Sequence, residues 1–306
     1  MTVPVTPPGH VLIVGCGDIG RRVANLWRGR GARVYGMVRS AASARALRAA
    51  GIEPVQADLD DAGTLATVPA AGALLYCFAP PPPHGIVDTR MENLLTAFQA
   101  AAPPARIVAI STSGVYGDRR GALVSEDDAP NPQTDRARRR LHGEQLLRAF
   151  GKAHGVPVVI LRVGGIYGPR RLPLDRIRSG APVLREELAP RTNRIHADDL
   201  ASVCMAAAER GRADAIYNVT DGQDSNMTEY FFAVADACGL PRPPAVDWAE
   251  VESGSSAGML SYLRESRRLD NRRMLDELNV RLRYPTLHAG LAACLAEAPH
   301  SDEGTP

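Results

Sequence analysis

The sequence has little with which to hold a polyanion, a membrane or a metal ion. Its 36 Lys+Arg against 34 Asp+Glu leave a formal charge of +2, and only 5% of its residues are aromatic. Neither the charge excess nor the stacking surface of a nucleic-acid protein is therefore present along the chain. No apolar stretch approaches the roughly 20 residues that cross a bilayer, and the opening MTVPVTPPGH lacks the basic and then apolar run of a secretory leader. Cys16, Cys77, Cys204, Cys238 and Cys294 are widely spaced and form no C-x-x-C pair, which favours reduced, buried thiols over disulfides or zinc ligands. These absences lead to an expectation of a cytoplasmic protein with no membrane, nucleic-acid or metal partner.

What the chain does have is rhythm. The apolar runs VLIVG (11–15), RVYGMV (33–38), ALLYCFA (73–79) and RIVAIS (106–111) alternate with Ala-, Leu- and Arg-rich segments of helical length; IEPVQAD (52–58) and PVVILRV (157–163) add two more strand-like runs. Strands apolar on both faces and separated by helices predict an α/β fold, a doubly wound parallel sheet covered on each side. Beyond residue 165 the rhythm breaks into Pro- and Gly-containing segments, a helical ADDLASVCMAAAER (197–210), a strand-like AIYNVT (215–220) and a helix near 227–238, which read as a smaller lobe. The predicted division is a dinucleotide-binding unit over 1–165, a substrate lobe with returns to that unit over 166–296, and a disordered tail over 297–306. In SRRLDNRRMLDELNV the apolar positions 269, 274, 275 and 278 fall at roughly helical spacing, and its arginines read most simply as a solvated face.

The first strand runs into Gly15-Cys16-Gly17-Asp18-Ile19-Gly20 and then a helical pattern. Glycines at this spacing let backbone approach a pyrophosphate, while the helix N-terminus offers unpaired N–H groups and the positive end of its dipole. Sites that prefer NAD place Asp or Glu at the end of the second strand, about 20 residues on, to bind the ribose 2′-hydroxyl. Here that strand ends in Arg39 and Ser40, a cation and a hydroxyl suited to a 2′-phosphate, so NADP is expected over NAD. Asp58, with Leu59 after the third strand, would either face the adenine or cap the next helix. Phe78, Ala79 and Pro80 after the fourth strand and Val163 at the end of a later one complete the expected cofactor lining.

With this turn, STSGVYG (111–117), LRVGGIYGPRR (161–171) and RIHADDLA (194–201) follow in an order that resembles the extended short-chain dehydrogenase/reductases, the NAD-dependent epimerase/dehydratase family. The resemblance covers residues 10 to 295 approximately and implies a Rossmann-type sheet with a C-terminal substrate lobe. It also implies a Ser or Thr that hydrogen-bonds the reacting oxygen, which falls on Thr112 with Ser113 as its neighbour; the competing reading is a hydroxyl that caps the end of the fifth strand. Family members then carry a Tyr-x-x-x-Lys helix, in which Tyr exchanges the proton and Lys lowers its pKa. Counting from Tyr116, with Pro132 and Glu144 as markers, those two positions fall on Arg136 and Arg140 within TDRARRRLHGEQ.

A guanidinium stays protonated above pH 12 and is no general base near neutrality. Arg140 remains able to bind a ribose or phosphate, and Arg136, one turn away, an anionic substrate group; the alternative is a pair of solvated helix arginines. The first glycine is displaced as well, since Val14 stands where many extended members begin G-x-x-G-x-x-G. Both departures are similar to the atypical subgroup. Nucleotide-sugar enzymes of the family place Arg four residues before the His of this last motif, and here that position is Thr192, between Arg191 and Arg194.

His196 and His84 are weaker candidates, the first as a structural residue of its motif and the second in the loop after the run APPPPHG. Tyr167 in IYGP reads as a packing residue. The leading expectation is an NAD(P)-dependent oxidoreductase, epimerase or dehydratase of atypical chemistry acting on a small polar substrate; the alternatives are a non-catalytic dinucleotide sensor or scaffold, and a nucleotide-sugar epimerase/dehydratase. Members of the family pair through the helix that holds Arg136, so the resemblance also implies a homodimer.

Overall fold

The computed structural model describes residues 9–99 and 102–296. The expected tail from residue 297 onward therefore lies outside the described residues.

Seven parallel strands form the central sheet. β1 (Val11–Val14), β2 (Val34–Val38), β3 (Glu53–Gln56), β4 (Leu74–Cys77) and β5 (Arg106–Thr112) are joined by Val158–Val163 and, at the edge, Ile216–Val219. From one edge to the other the order is Ile216–Val219, Val158–Val163, β5, β4, β1, β2, β3, every neighbouring pair running parallel. The chain builds outward from β1 in one direction and then crosses back to β4. This leaves a crevice beyond the carboxyl ends of β1 and β4, the place where open α/β sheets bind ligands.

Alternation along each strand divides the core into two layers. Val11 and Ile13 enter one apolar cluster with Val23 and Trp27 of α1 (Asp18–Arg28) and with Leu200 and Val203 of the helix Ala197–Arg210. Leu12 and Val14 point the other way, to Leu94 and Phe98 of α3 (Thr89–Gln99) and to Leu147 and Phe150 of α4 (Asp135–His154). The helix α2 (Ala41–Ala49) adds Leu47 to the first layer. Tyr76, fully buried in β4, accepts from Trp27 Nε1 at 2.8 Å and donates to the Cys204 carbonyl at 3.3 Å, so its hydroxyl is satisfied inside the apolar layer.

The segment 215–220 makes one of the returns to the sheet: Ile216–Val219 extends it by pairing with Ile160–Val163, and its Tyr217 and Val219 are buried in the same layer as the helix Ala197–Arg210. One expectation needs correction: the arginines of SRRLDNRRMLDELNV are not all solvated. Arg267 is buried, donates to the Gly117 carbonyl at 2.7 Å and pairs with Glu265 at 2.9 Å, tying this segment to the turn after β5.

The rest of the C-terminal half forms the lobe. Tyr167, Ile177, Tyr230, Phe231 and Leu291 make its core, and Leu184, Val251 and Leu263 a second small cluster. Tyr167 packs, as its position suggested. No described helix is long and apolar enough to cross a membrane, and the described residues contain no group of three or more His, Cys, Asp or Glu placed to hold a metal ion.

Candidate dinucleotide site and relay helix

At the end of β1 the backbone turns through Gly15 at φ 86°, in the left-handed region that disfavours any side chain. A Cβ there would also lie 2.5 Å from the Ala79 nitrogen, so glycine lets the turn press against the loop after β4. Gly20 allows a second close approach: its Cβ would meet Ile13 Cγ2 at 3.1 Å, where α1 crosses the sheet. At Gly17 an added Cβ would meet nothing within 4 Å, and no side chain caps the first turn of α1. The uncapped amides of that turn border open space, an arrangement suited to an anion.

That space is a cavity of about 730 Å³. Of the residues expected around a cofactor, Gly15, Cys16, Gly17, Asp18, Ile19, Gly20, Arg39, Ser40, Asp58, Leu59, Phe78, Ala79 and Pro80 all line it. Val163 does not; it is buried within its strand, paired with Thr112. Arg140 also reaches the cavity, as do Arg21, Ser43, Arg90, Ile166 and Arg171, which sequence reasoning missed. Arg21, Arg39, Arg90, Arg140 and Arg171 face only Asp18 and Asp58 among the carboxylates of the wall, a balance that favours an anionic occupant.

Each of these charges has a local cause. Burial alone would raise the Asp18 carboxyl, but the hydrogen bond from Arg171 at 2.5 Å and the charges of Arg22 and Arg171 outweigh it and hold the pKa below the usual carboxylate value. Asp58 accepts from the Asp60 amide at 3.0 Å within its own loop and lines the cavity; the next helical turn, Ala62–Thr67, is capped by Asp61, so the helix-capping alternative does not hold. Arg90 makes a two-pronged pair with Asp60 at 2.8 and 2.6 Å and donates to the Pro80 carbonyl at 3.2 Å, which braces the proline loop over the cavity. Ser40 caps α2, accepting from the Ser43 amide at 3.1 Å, and no acidic residue stands in that helix's first turn. Arg39 is exposed at the rim beside it.

The four arginines at the start of α4 have separate surroundings. Thr134 caps the helix, accepting from the Ala137 amide at 3.4 Å. Arg138 is exposed and pairs with Asp135, the one member that fits a solvated face. Arg139 is buried and donates to the Gly85 carbonyl. Arg136 stacks its guanidinium 3.7 Å from the centre of the Tyr262 ring and donates to Ser261 Oγ at 2.5 Å, so it bridges to the helix Ala257–Leu263 of the lobe. Arg140 alone lines the cavity, donating to the Ala79 and Ile110 carbonyls at 3.3 and 3.4 Å; burial pulls its pKa down from the usual guanidinium value.

Thr112 ends β5, and its Oγ1 accepts from the Gly114 amide at 3.2 Å, as the capping reading had it. Ser113 beside it is buried, and neither lines the cavity. Behind them sits a polar network that the sequence barely announces. Ser111 Oγ donates to Glu144, Arg162 holds the same carboxylate at 2.8 Å and lies over the Tyr116 ring at 4.7 Å, and the Tyr116 hydroxyl donates to Asn218 at 2.9 Å. Both charges of the pair are buried, and together they pin the carboxyl ends of β5 and Val158–Val163 against α4. His196 is fully buried, accepts from the Asp198 amide at 3.2 Å and stacks on Tyr284 at 4.1 Å, a structural residue of the lobe's base; His84 is exposed in the proline loop.

A Rossmann-type sheet with a glycine turn at its switch point, followed by a C-terminal lobe, is the architecture of this α/β chain. The family model for the NAD dependent epimerase/dehydratase family matches residues 83–220. A functionally unknown conserved protein from Silicibacter pomeroyi DSS is 31% identical with a TM-score of 0.80, the alignment covering 95% of this chain and 99% of that one. MoeE5, solved in complex with UDP-glucose and NAD, is 25% identical with a TM-score of 0.72, covering 94% of this chain and 98% of its own. A dTDP-glucose 4,6-dehydratase from Streptomyces griseus is 28% identical over 177 residues, 54% of this chain and 52% of that protein. This chain spans about half the length of such curated relatives. The chain belongs to the NAD-dependent epimerase/dehydratase family.

Proposed function

We propose that the protein is an NAD(P)-dependent oxidoreductase, epimerase or dehydratase of the atypical extended type, preferring NADP and acting on a small polar substrate that carries an anionic group. The observation that carries this reading is the single cavity joining the glycine turn, Arg39 with Ser40, and Arg140, with five arginines against two aspartates on its wall. The NAD bound to MoeE5 supports a dinucleotide in the same crevice here. The fit is physical: Gly17 leaves room where a phosphate would sit, and the first turn of α1 is uncapped.

A bound nicotinamide would supply the hydride acceptor or donor. Gly15, Cys16, Gly17, Asp18, Ile19 and Gly20 would hold the pyrophosphate, Arg39 and Ser40 the 2′-phosphate, and Asp58 and Leu59 the adenine side. Phe78, Ala79 and Pro80 would border the nicotinamide half, with Arg140 in place of the usual lysine on its ribose. Thr112, with Ser113 as second candidate, would donate its hydroxyl hydrogen to the reacting oxygen. Arg136 would offer its remaining N–H groups to the substrate's anionic group.

The proton then moves through water or a substrate group. The sequence contains a single lysine, Lys152, with Arg148 four residues before it, so no Tyr-x-x-x-Lys stands anywhere in the chain. Two readings compete. A nucleotide sugar is favoured by the activities of the relatives, but Thr192 occupies the diphosphate-arginine position, Arg191 is drawn to Asp224 at 3.3 Å, and Arg194 is buried against Tyr230 at 3.6 Å. A sensor or scaffold would keep the cradle without turnover. We also infer a homodimer formed through α4, and a cytoplasmic setting in which the thiols of Cys16, Cys77, Cys204, Cys238 and Cys294 stay reduced.

The test starts with thermal stability and nicotinamide fluorescence in NADPH and in NADH. A substrate screen on nicotinamide absorbance, repeated with Thr112→Ala, then separates enzyme from sensor. Loss of an oxyanion-type donor costs about 10²–10³ in kcat, so turnover unaffected by Thr112→Ala removes that assignment.

A further inference from the structure

We infer that Arg171 is a dinucleotide-binding residue: it straps the first loop of the lobe across the cradle and places a guanidinium on the pyrophosphate. The inference rests on the cofactor reading above and adds to it a contact from outside the glycine turn.

Arg171 stands 153 residues from Asp18 in sequence, yet its Nε lies 2.5 Å from Asp18 Oδ2, at the first residue of α1. It lines the main cavity and also an adjoining concavity of about 680 Å³ that includes Arg21, Arg22 and Arg170. Asp18 has a second partner, because its Oδ1 accepts from Arg22 Nε at 3.1 Å, one helical turn away, and Arg22 reaches on to Asp198. The carboxylate therefore keeps an ion pair if Arg171 turns away. A bare carboxylate in the first turn of α1 would repel an anion bound there. Arg22 shares its single charge between Asp18 and Asp198 and so lessens this repulsion without cancelling it, which makes the guanidinium of Arg171 the balancing charge beside the ligand.

The backbone holds Arg171 in place. Arg170, immediately before it, has φ 64°, a left-handed conformation that a non-glycine residue seldom adopts. The turn is closed by the Arg171 amide on the Gly168 carbonyl at 3.0 Å, and Gly168 sits against Ala197, where an added Cβ would meet the Ala197 Cβ at 3.0 Å. Strain kept by such packing is a feature of sites that need a fixed direction. The side chain remains about one-third exposed, free to exchange a carboxylate for a phosphate. Both are planar or tetrahedral oxyanions that a guanidinium grips with two N–H groups.

The probe is ADP-ribose, which carries the pyrophosphate without the 2′-phosphate or the nicotinamide, titrated calorimetrically into the unaltered protein, Arg171→Ala and Arg171→Lys. The expected result is a loss of about tenfold or more for Arg171→Ala, a smaller loss for Arg171→Lys, a shallower dependence of affinity on salt in the alanine variant, and an unchanged melting temperature without ligand. NADH and NADPH should weaken by the same factor, since both carry the pyrophosphate. Unchanged ADP-ribose affinity in a folded Arg171→Ala overturns the strap while leaving the cofactor reading intact. A loss confined to NADPH overturns it too, by moving Arg171 to the 2′-phosphate. No ADP-ribose binding by the unaltered protein overturns both.

Discussion

Replacing Arg39 with alanine should separate the two nicotinamide dinucleotides. Arg39 lies at the rim of the cavity beside Ser40 and Ser43, at the end of β2 where an NAD site would carry an acid. Two unit charges 4 Å apart are worth about 1 kcal/mol in water and about 4 kcal/mol at an effective dielectric of 20. An exposed guanidinium facing a 2′-phosphate falls between, at about 1.5–3 kcal/mol, which is a loss of ~10- to 100-fold in NADPH affinity. NADH carries only a neutral 2′-hydroxyl at that position and should change less than about twofold. The N-terminus of α2 with its two serines survives the substitution and is worth about 0.3–1 kcal/mol, so a weak NADPH preference should remain. Fluorescence titrations with both cofactors against both proteins form a cycle from which any general effect on the fold cancels. Raising the salt should shrink the NADPH difference and leave NADH flat. Equal losses for the two cofactors, or tighter NADH than NADPH binding in the unaltered protein, would refute the 2′-phosphate role.

Two further expectations concern the scaffold. Glu144→Ala leaves Arg162 as an uncompensated buried charge and strips Ser111 of its acceptor, so unfolding free energy should fall by about 3–5 kcal/mol, read as a lower denaturant midpoint; a change under ~1 kcal/mol would show that the network carries no such charge stress. Burial pushes Asp221 up to about 6, against the Gln223 amide at 3.0 Å and the charge of Arg194. An acid whose folded pKa is raised favours the folded state when protonated, and the benefit is lost as pH rises from the unfolded value of 3.8 through about 6, a swing of about 3 kcal/mol. Asp221→Asn should therefore stabilise the protein at pH 8 and lose that advantage near pH 4. A stability difference independent of pH would contradict this.

The glycine turn and its strand were legible because each signal is local. An unbroken apolar run marks β1, and the spacing of Gly15, Gly17 and Gly20 reflects one turn and one helix contact. The helix 197–210 was read to the residue, since its acidic start and apolar face lie within one segment. What was not legible depends on contacts between distant segments. Arg171 meets Asp18 across 153 residues, and Arg90 reaches the cavity only because it is braced by Asp60 and the proline loop. Arg162 sat inside an apolar run, and a charge in such a strand was the available sign of a buried partner. TDRARRRLHGEQ shows the limit most plainly. By composition alone it would pass for a basic patch, whereas the helix sends Arg139 inward, Arg136 to the lobe, Arg140 to the cavity and Arg138 to solvent.

The account stands or falls on whether the cradle takes a nicotinamide dinucleotide. A calorimetric titration of NADPH into the protein, followed by NADH, tests this most directly: one site per chain with NADPH bound at least several-fold more tightly is the predicted result. No heat and no thermal stabilisation with either cofactor would contradict it.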